Sequence, residues 1–365
     1  MLDIPTADLP QFFVEPAVAN VTARCSIYES DGETLFMENV PLLDGSVSAD
    51  FTRDERRTLD VTFDNVDGAL RHPETFDYDK VIKVWRGVST DEGDWETPLG
   101  TFYIDSIKSQ HFPNTISVTC RDGAKRLLAD KFATSTTFKS GQPIETIIRT
   151  IATNGGIQRI NLAPTGKMTT RDHGFERGVS RWEAITEIAG AYNYDLYFDP
   201  AGFLVLQPQQ DPSTSPPTFT FETGLRGSLA SFDKKTSDAR VYNHMVVTGA
   251  GVEPNVYATA ENNDPASPTR IERIGRRTYQ YTSQFIHTTA QCQDVADRFL
   301  AIHALEDYEL SLSSLVLPWL EPGSVIRFLD PNPSIGNPEI FLLTDLSIPL
   351  RLGQMSVNAK RVVMR

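Results

Sequence analysis

Between residues 20 and 120, apolar and polar side chains alternate in short runs separated by turn residues. In Thr58-Leu-Asp-Val-Thr-Phe-Asp, Leu59, Val61 and Phe63 fall on one face, the two-residue period of a half-buried strand. Val81-Ile-Lys-Val-Trp85 predicts another strand, residues 89–96 an acidic hairpin loop, and Gly100-Thr-Phe-Tyr-Ile-Asp-Ser-Ile a further strand. Residues 115–120 predict one more after a Pro-Asn turn. Short strands at this spacing predict an antiparallel barrel or sandwich, with a short helix over 124–130 leading out of it.

The period changes over 138–210. Pro143 opens a stretch in which Ile144, Ile147, Ile148 and Ile151 recur at helical spacing, and Asn154-Gly-Gly ends it. Ser180-Arg-Trp-Glu183 is a capping box, followed by an apolar stripe of Trp182, Ile185, Ile188, Ala189 and Tyr192. A hairpin over 194–207 turns at Asp199-Pro-Ala-Gly202. These elements predict a small α+β domain whose helix stripes pack on a sheet. The polar, proline-rich stretch 207–217 reads as a stiff linker.

Strand character resumes at 241–248. Residues 253–270 read as a long loop and 276–285 as extended chain. Thr288 and Gln291 can cap a helix that buries Cys292, Val295, Ala296, Phe299 and Leu300. Strands are expected at 310–317 and 325–329 around a Glu321-Pro-Gly-Ser turn. The two ends then correspond. Val81-Ile-Lys-Val-Trp resembles Val325-Ile-Arg-Phe-Leu; the first reaches Asp105 after 24 residues and the second Asp345 after 20, and each is followed by an alternating strand, one with Ile116 and Val118, the other with Val357 and Ala359. The fold expected is mainly β with an α+β insert. Two related antiparallel β-barrel domains, 1–132 and 212–365, flank a small α+β domain, 133–211; the second barrel carries an inserted helix and long loop.

Composition narrows the function. With 34 basic against 48 acidic residues, the net charge of −14 lacks the basic footprint that nucleic-acid phosphates require. Cys25, Cys120 and Cys292 are three, far apart and outside any CxxC pair, so they form neither a disulfide framework nor a zinc site; core positions are expected for them. The first ten residues lack the features of a signal peptide, and no apolar run approaches membrane-spanning length, so folding in a reducing cytoplasm without membrane insertion is expected.

Catalytic motifs are absent: there is no GxSxG, HExxH, Walker A or GxGxxG. Pro164-Thr-Gly-Lys167 lacks the upstream glycine and following hydroxyl of a phosphate loop. His72, His111, His173, His244, His287 and His303 show no metal-ligand spacing. Asp105 and Asp345 occupy matching places in the repeat and are expected at turns or ladder ends. Glycoside hydrolysis would need a carboxyl pair roughly 5–10 Å apart. The arginine clusters Arg53/Arg56/Arg57 and Arg270/Arg273/Arg276/Arg277 have acidic neighbours and read as local ion pairs or as a subunit contact. No catalytic, cofactor-binding or metal-binding residue is assigned, and no enzyme activity is expected.

Ordered along the chain, these features resemble a known family. Gly275-Arg-Arg, Ile286-His-Thr, Ala296-Asp-Arg-Phe-Leu and Pro318-Trp-Leu-Glu-Pro-Gly-Ser-Val-Ile-Arg-Phe look like the third-domain signature of phage tail baseplate and tail-tip hub proteins, the group that includes late-control-protein-D-like proteins. Ser180-Arg-Trp-Glu-Ala-Ile with Tyr197-Phe-Asp-Pro-Ala-Gly-Phe-Leu looks like their middle domain, and Asp44-Gly-Ser-Val-Ser with Arg57-Thr-Leu-Asp-Val-Thr-Phe-Asp-Asn their first barrel. The resemblance implies a structural virion protein: a homotrimeric ring at the distal tail tip, assembled in the bacterial host cytoplasm. In it, two barrels per subunit would match a hexameric tail tube. Implied partners are tail tube or distal tail ring proteins, the tape-measure protein and other tip or fibre proteins, with DNA passing an acidic lumen unbound. No lytic domain is expected on this polypeptide. Two alternatives stand beside this: the hub of a phage-derived contractile injection or secretion machine, and a β-barrel carbohydrate-active enzyme or binding module using carboxylates with Trp85, Trp95 or Trp319 as sugar platforms.

Overall fold

The alternation at 58–64 becomes the strand Arg57–Asp64, which buries Leu59, Val61 and Phe63 on one face. The computed structural model describes residues 20–90, 93–112, 114–224, 227–236, 241–250, 256–304, 308–332 and 338–362. The N-terminal decapeptide, residues 91–92 of the expected acidic loop and 253–255 of the expected long loop fall outside them. The chain is mainly β with an α+β segment, as the pattern predicts.

Among the described residues, thirteen strands form one continuous sheet. In the first lobe, strands Leu42–Asp50, Arg57–Asp64, Asn114–Arg121, Gly93–His111 and Val81–Thr90 pair in that spatial order, and Asn20–Tyr28 and Leu35–Met37 extend it. In the second lobe the order is Leu229–Thr236, Tyr308–Ser314, Met355–Arg361, Glu339–Pro349 and Val325–Phe328, with Phe219–Phe221 added in parallel. The lobes join where residues 345–349 pair antiparallel with 46–50. Among the described residues neither lobe closes on itself by strand pairing; the C-terminal half of Glu339–Pro349 pairs on one edge with Met355–Arg361 of its own lobe and on the other with Leu42–Asp50. One hydrophobic cluster runs through both lobes, from Phe63, Phe102 and Val118 to Phe328, Phe341 and Val357.

The repeat holds in register. Val81, Ile82, Lys83 and Val84 pair with Tyr103, Phe102, Thr101 and Gly100; Val325, Ile326, Arg327 and Phe328 pair with Leu342, Phe341, Ile340 and Glu339. Ile104 faces Cys120 and Ile107 faces Val118 across a bulge at Asp105; Leu343 faces Ala359 and Leu346 faces Val357 across a bulge at Thr344. A second bulge recurs at Leu43 in the first lobe and Ala230 in the second. Bulges re-aim a strand and are seldom placed by chance, so two in equivalent positions mark one unit built twice. The register also corrects the sequence alignment by one residue. Asp105 corresponds to Thr344, and Asp345 to Ser106.

A second cluster forms the α+β unit. The helix Ile144–Asn154 buries the four isoleucines read from the sequence and ends at Gly155, and Arg181–Ala191 begins with the Ser180–Glu183 capping box. Thr288 and Gln291 cap Thr289–His303 in the same manner. Cys292, Val295 and Ala296 of that helix and Met245 and Val247 of the strand His244–Gly249 pack with Ile148, Trp182 and Ile185. The unit is thus assembled from two stretches of chain. All three cysteines are free and buried.

Two sequence expectations change. The acidic loop at 89–96 is largely ladder, since Val88 pairs with Trp95 and Gly87 with Glu96; Glu96 meets Arg24 at 2.8 Å instead of marking a turn. The loop at 253–270 contains the strand Tyr257–Glu261, which pairs with His244–Gly249 and buries Ala258 and Ala260 on the helix Thr289–His303.

The Asp199–Gly202 turn docks the α+β unit on the first lobe. Asp199 Oδ1 accepts from the Phe203 amide at 2.8 Å, and Thr101 Oγ1 reaches the Pro200 carbonyl at 3.4 Å. Gly202 has φ +82°, and a Cβ there would stand 2.8 Å from Thr101 Cβ. Gly202→Ala combines left-handed backbone strain with a collision and is expected to cost roughly 1–3 kcal/mol, measured by denaturant unfolding; an unchanged midpoint would contradict the docking role.

Candidate assembly surface

With the repeat in place, the informative surfaces are the seam between lobes and the strand edges that stay unpaired. At the seam the side chains alternate: Val47, Ala49, Leu346 and Ile348 are buried, while the hydroxyls of Ser48 and Ser347 meet at 3.1 Å on the other face. The apolar row supplies the burial, and the polar row leaves a solvated face.

Charged side chains clamp both ends of this seam. At one end Arg57, almost wholly buried, bonds Glu321 of the second lobe and donates to the Leu99 carbonyl at 3.2 Å. Its neighbour Arg56 donates to the Pro322 carbonyl and lies 4.2 Å over the Tyr197 ring of the α+β unit. Asp54 accepts from the Trp182 indole at 3.1 Å. The turn at 51–56 therefore touches all three parts of the chain. At the other end Arg86, 2% exposed, donates to the Thr22 and Arg351 carbonyls at 3.0 Å each, and Arg351 donates to the Leu42 carbonyl at 3.0 Å. Burial lowers the Arg86 guanidinium to about 10.

Asp122 completes the first clamp. Its carboxylate accepts from the Arg57 amide at 2.9 Å and the Ala124 amide at 3.0 Å. Burial nevertheless pushes it up to about 7, above the pull of those amides and of the Arg57 charge. Burial likewise lowers His173 to about 4; it stacks on His287, which is also lowered, with ring centroids 5.0 Å apart.

The residues singled out in the sequence divide by location. Arg56 and Arg57 are internal ties, whereas Arg53 is exposed beside Asp50, Arg276 pairs with Glu261 at 2.8 Å, and Arg270 lies 3.7 Å from Glu272. Asp105 and Asp345 do not come together. Asp105 binds Arg121 at 3.1 Å and Lys125 at 2.9 Å, while Asp345 accepts from Asn358 and Thr344 in the second lobe. Arg24 covers the Trp85 ring at 3.8 Å and Trp319 packs on the core, which leaves Trp95 as the more exposed of these three indoles. A cleft of about 610 Å³ between Ala23–Cys25 and Leu350–Leu352 is lined by Arg24 and Arg86, and a smaller one of about 220 Å³ by Lys167, Tyr192, Gln291 and Asp294; neither holds two carboxylates. No group of three or more potential metal ligands occurs among the described residues, and no helix there is long and apolar enough to cross a membrane.

What sequence reasoning missed is the edge strand Leu229–Thr236, whose charged Asp-Lys-Lys centre hides its period. Lys234 is held by Asp330 and Glu339, so an ion pair replaces the apolar contact that Val47 makes at the equivalent place.

The raised Asp122 carboxyl gives a signed expectation. Its folded-state pKa lies above its unfolded value near 3.9, so the stability it contributes is fully present below about pH 4 and is lost as pH rises through about 7. Asp122→Asn keeps an acceptor but no titration. Relative to wild type it should cost more at pH 5 than at pH 8 by denaturant unfolding; the reverse order would contradict a raised carboxyl.

No family model matches the chain, and no curated protein matches it by sequence. Solved structures match by fold. The tail protein from Neisseria meningitidis MC58 has a TM-score of 0.66 at 17% identity, covering 93% of this chain and 96% of that one. The 43 kDa tail protein of prophage MuSo2 from Shewanella oneidensis has a TM-score of 0.59 at 11% identity, covering 93% and 98%. A chain of the Francisella PdpA-VgrG complex has a TM-score of 0.56 at 11% identity, over 97% of this chain and 60% of that one. The chain therefore shares its fold with these structures.

Proposed function

We propose that this chain is a non-enzymatic structural component of a phage tail, three copies of which form the hub at the distal tip. The observation that carries this is the in-register repeat. Two equivalent lobes per chain let a threefold ring present six similar lobes, which is what a contact with a hexameric tube requires. The tube or distal tail ring would bind one face of the ring. The tape-measure end and other tip proteins would occupy the other side, and DNA would leave through the centre. The excess of acidic residues suits a channel that DNA crosses without adhering. The chain divides in this reading into two β lobes and one α+β unit that braces them. The likeness to a chain of the Francisella PdpA-VgrG complex favours, as a second reading, the equivalent part of a secretion machine.

The purified chain should form a ring with the mass of three 40.7 kDa chains by native mass spectrometry, and class averages in electron microscopy should show six lobes. A monomer or dimer that persists at tens of micromolar would overturn the hub reading.

A further inference from the structure

The cleft at the Arg86 end of the seam is cationic, in a chain whose net charge is −14. Arg24, Arg86 and Arg351 line it, and none of its lining residues is a carboxylate. Arg24 is already answered by Glu96 at 2.8 Å. The other two are answered only by neutral groups. Arg86, 2% exposed, gives its terminal nitrogens to the Thr22 and Arg351 carbonyls and keeps its Nε buried without a partner. Nothing acidic offsets the burial that lowers its guanidinium. Arg351 is exposed; it reaches the Leu42 carbonyl at 3.0 Å and, among the described residues, no carboxylate. Cations met by carbonyls alone keep their attraction for an anion.

The rest of the wall is apolar. Val40 and Leu350 are buried at its base, and Leu352, in the turn between Glu339–Pro349 and Met355–Arg361, is 91% exposed at its mouth. The volume of about 610 Å³ is in the range of sites that enclose a small ligand or a few residues of chain. Unmatched guanidinium charge beside a bare leucine calls for a ligand that carries both a carboxylate and an apolar group.

We propose that this cleft takes an acidic segment of another protein, with a carboxylate opposite Arg351 and Arg86 and a neighbouring apolar side chain on Leu352. Carboxylates suit guanidinium groups because the two planar groups can share paired hydrogen bonds. Nucleic acid is the weaker match, since the apolar wall offers nothing to a phosphate backbone and the chain's net charge repels a long polyanion. The site belongs to the single chain, so it stands or falls apart from the hub reading.

Fluorescence anisotropy with the full-length chain tests this. The probe is a short dye-labelled peptide of alternating glutamate and leucine. It should bind, and binding should weaken as salt rises. The same peptide with glutamine in place of glutamate should bind at least about ten-fold more weakly. Arg351→Gln keeps a donor for the Leu42 carbonyl and removes the charge; it should weaken binding of the acidic peptide roughly ten-fold. Leu352→Ser should weaken it roughly five-fold. Because Leu352 lies outside the core, that variant should unfold at the wild-type denaturant midpoint, so its loss of affinity reads the cleft and not the fold. Equal binding of the glutamate and glutamine peptides, or wild-type affinity in both variants, would overturn the proposal. Tighter binding of labelled oligothymidylate than of the acidic peptide would overturn it in favour of nucleic acid. Binding by single chains that vanishes on self-assembly would overturn the foreign partner and assign the cleft to a neighbouring copy.

Discussion

The ladder between residues 345–349 and 46–50 hydrogen-bonds segments about three hundred residues apart, and the architecture depends on it. Closing so long a loop costs chain entropy that a few backbone bonds could not offset alone. The seam holds because its inward row is apolar and buried and its ends are clamped by Arg56 and Arg57 on one side and Arg86 and Arg351 on the other. Without it the two lobes would be separate sheets with exposed edges. With it they share one sheet and one core.

The clamps also explain why the α+β unit sits where it does. The turn after Leu42–Asp50 presents Asp54 to Trp182 and Arg56 to Tyr197, while Gly202 lets a second turn approach Thr101. Buried arginines at such a junction are costly unless their donors are met. Here terminal guanidinium nitrogens are met by carbonyls and by Glu321 of other parts of the chain, while the Nε of Arg56, Arg57 and Arg86 is buried without a partner; the bonds that are made tie the pieces in one relative arrangement. That is a useful property in a proposed ring whose lobes must remain equivalent.

Much of this was legible in the residues. Both capping boxes, the four-isoleucine stripe and the Asp199–Gly202 hairpin follow from local rules, and Val81-Ile-Lys-Val against Val325-Ile-Arg-Phe holds in the ladders without a shift. The one-residue error at Asp105 and Asp345 came from matching like residues where a bulge sets the frame. The acidic stretch at 89–96 misled because solvent-facing charges on a ladder look like a loop. Leu229–Thr236 escaped because Lys234 sits in an ion pair where its counterpart Val47 sits in the core. The seam itself has no sequence signature, since pairing between distant strands is a property of the whole sheet.

Amide hydrogen exchange across the seam tests the central claim most directly. The amides of 46–50 and 345–349 that face each other across the ladder should be among the slowest to exchange, opening together with the cores of both lobes. Fast exchange at 46–50 and 345–349 while both lobes stay protected would contradict a seam that holds the architecture.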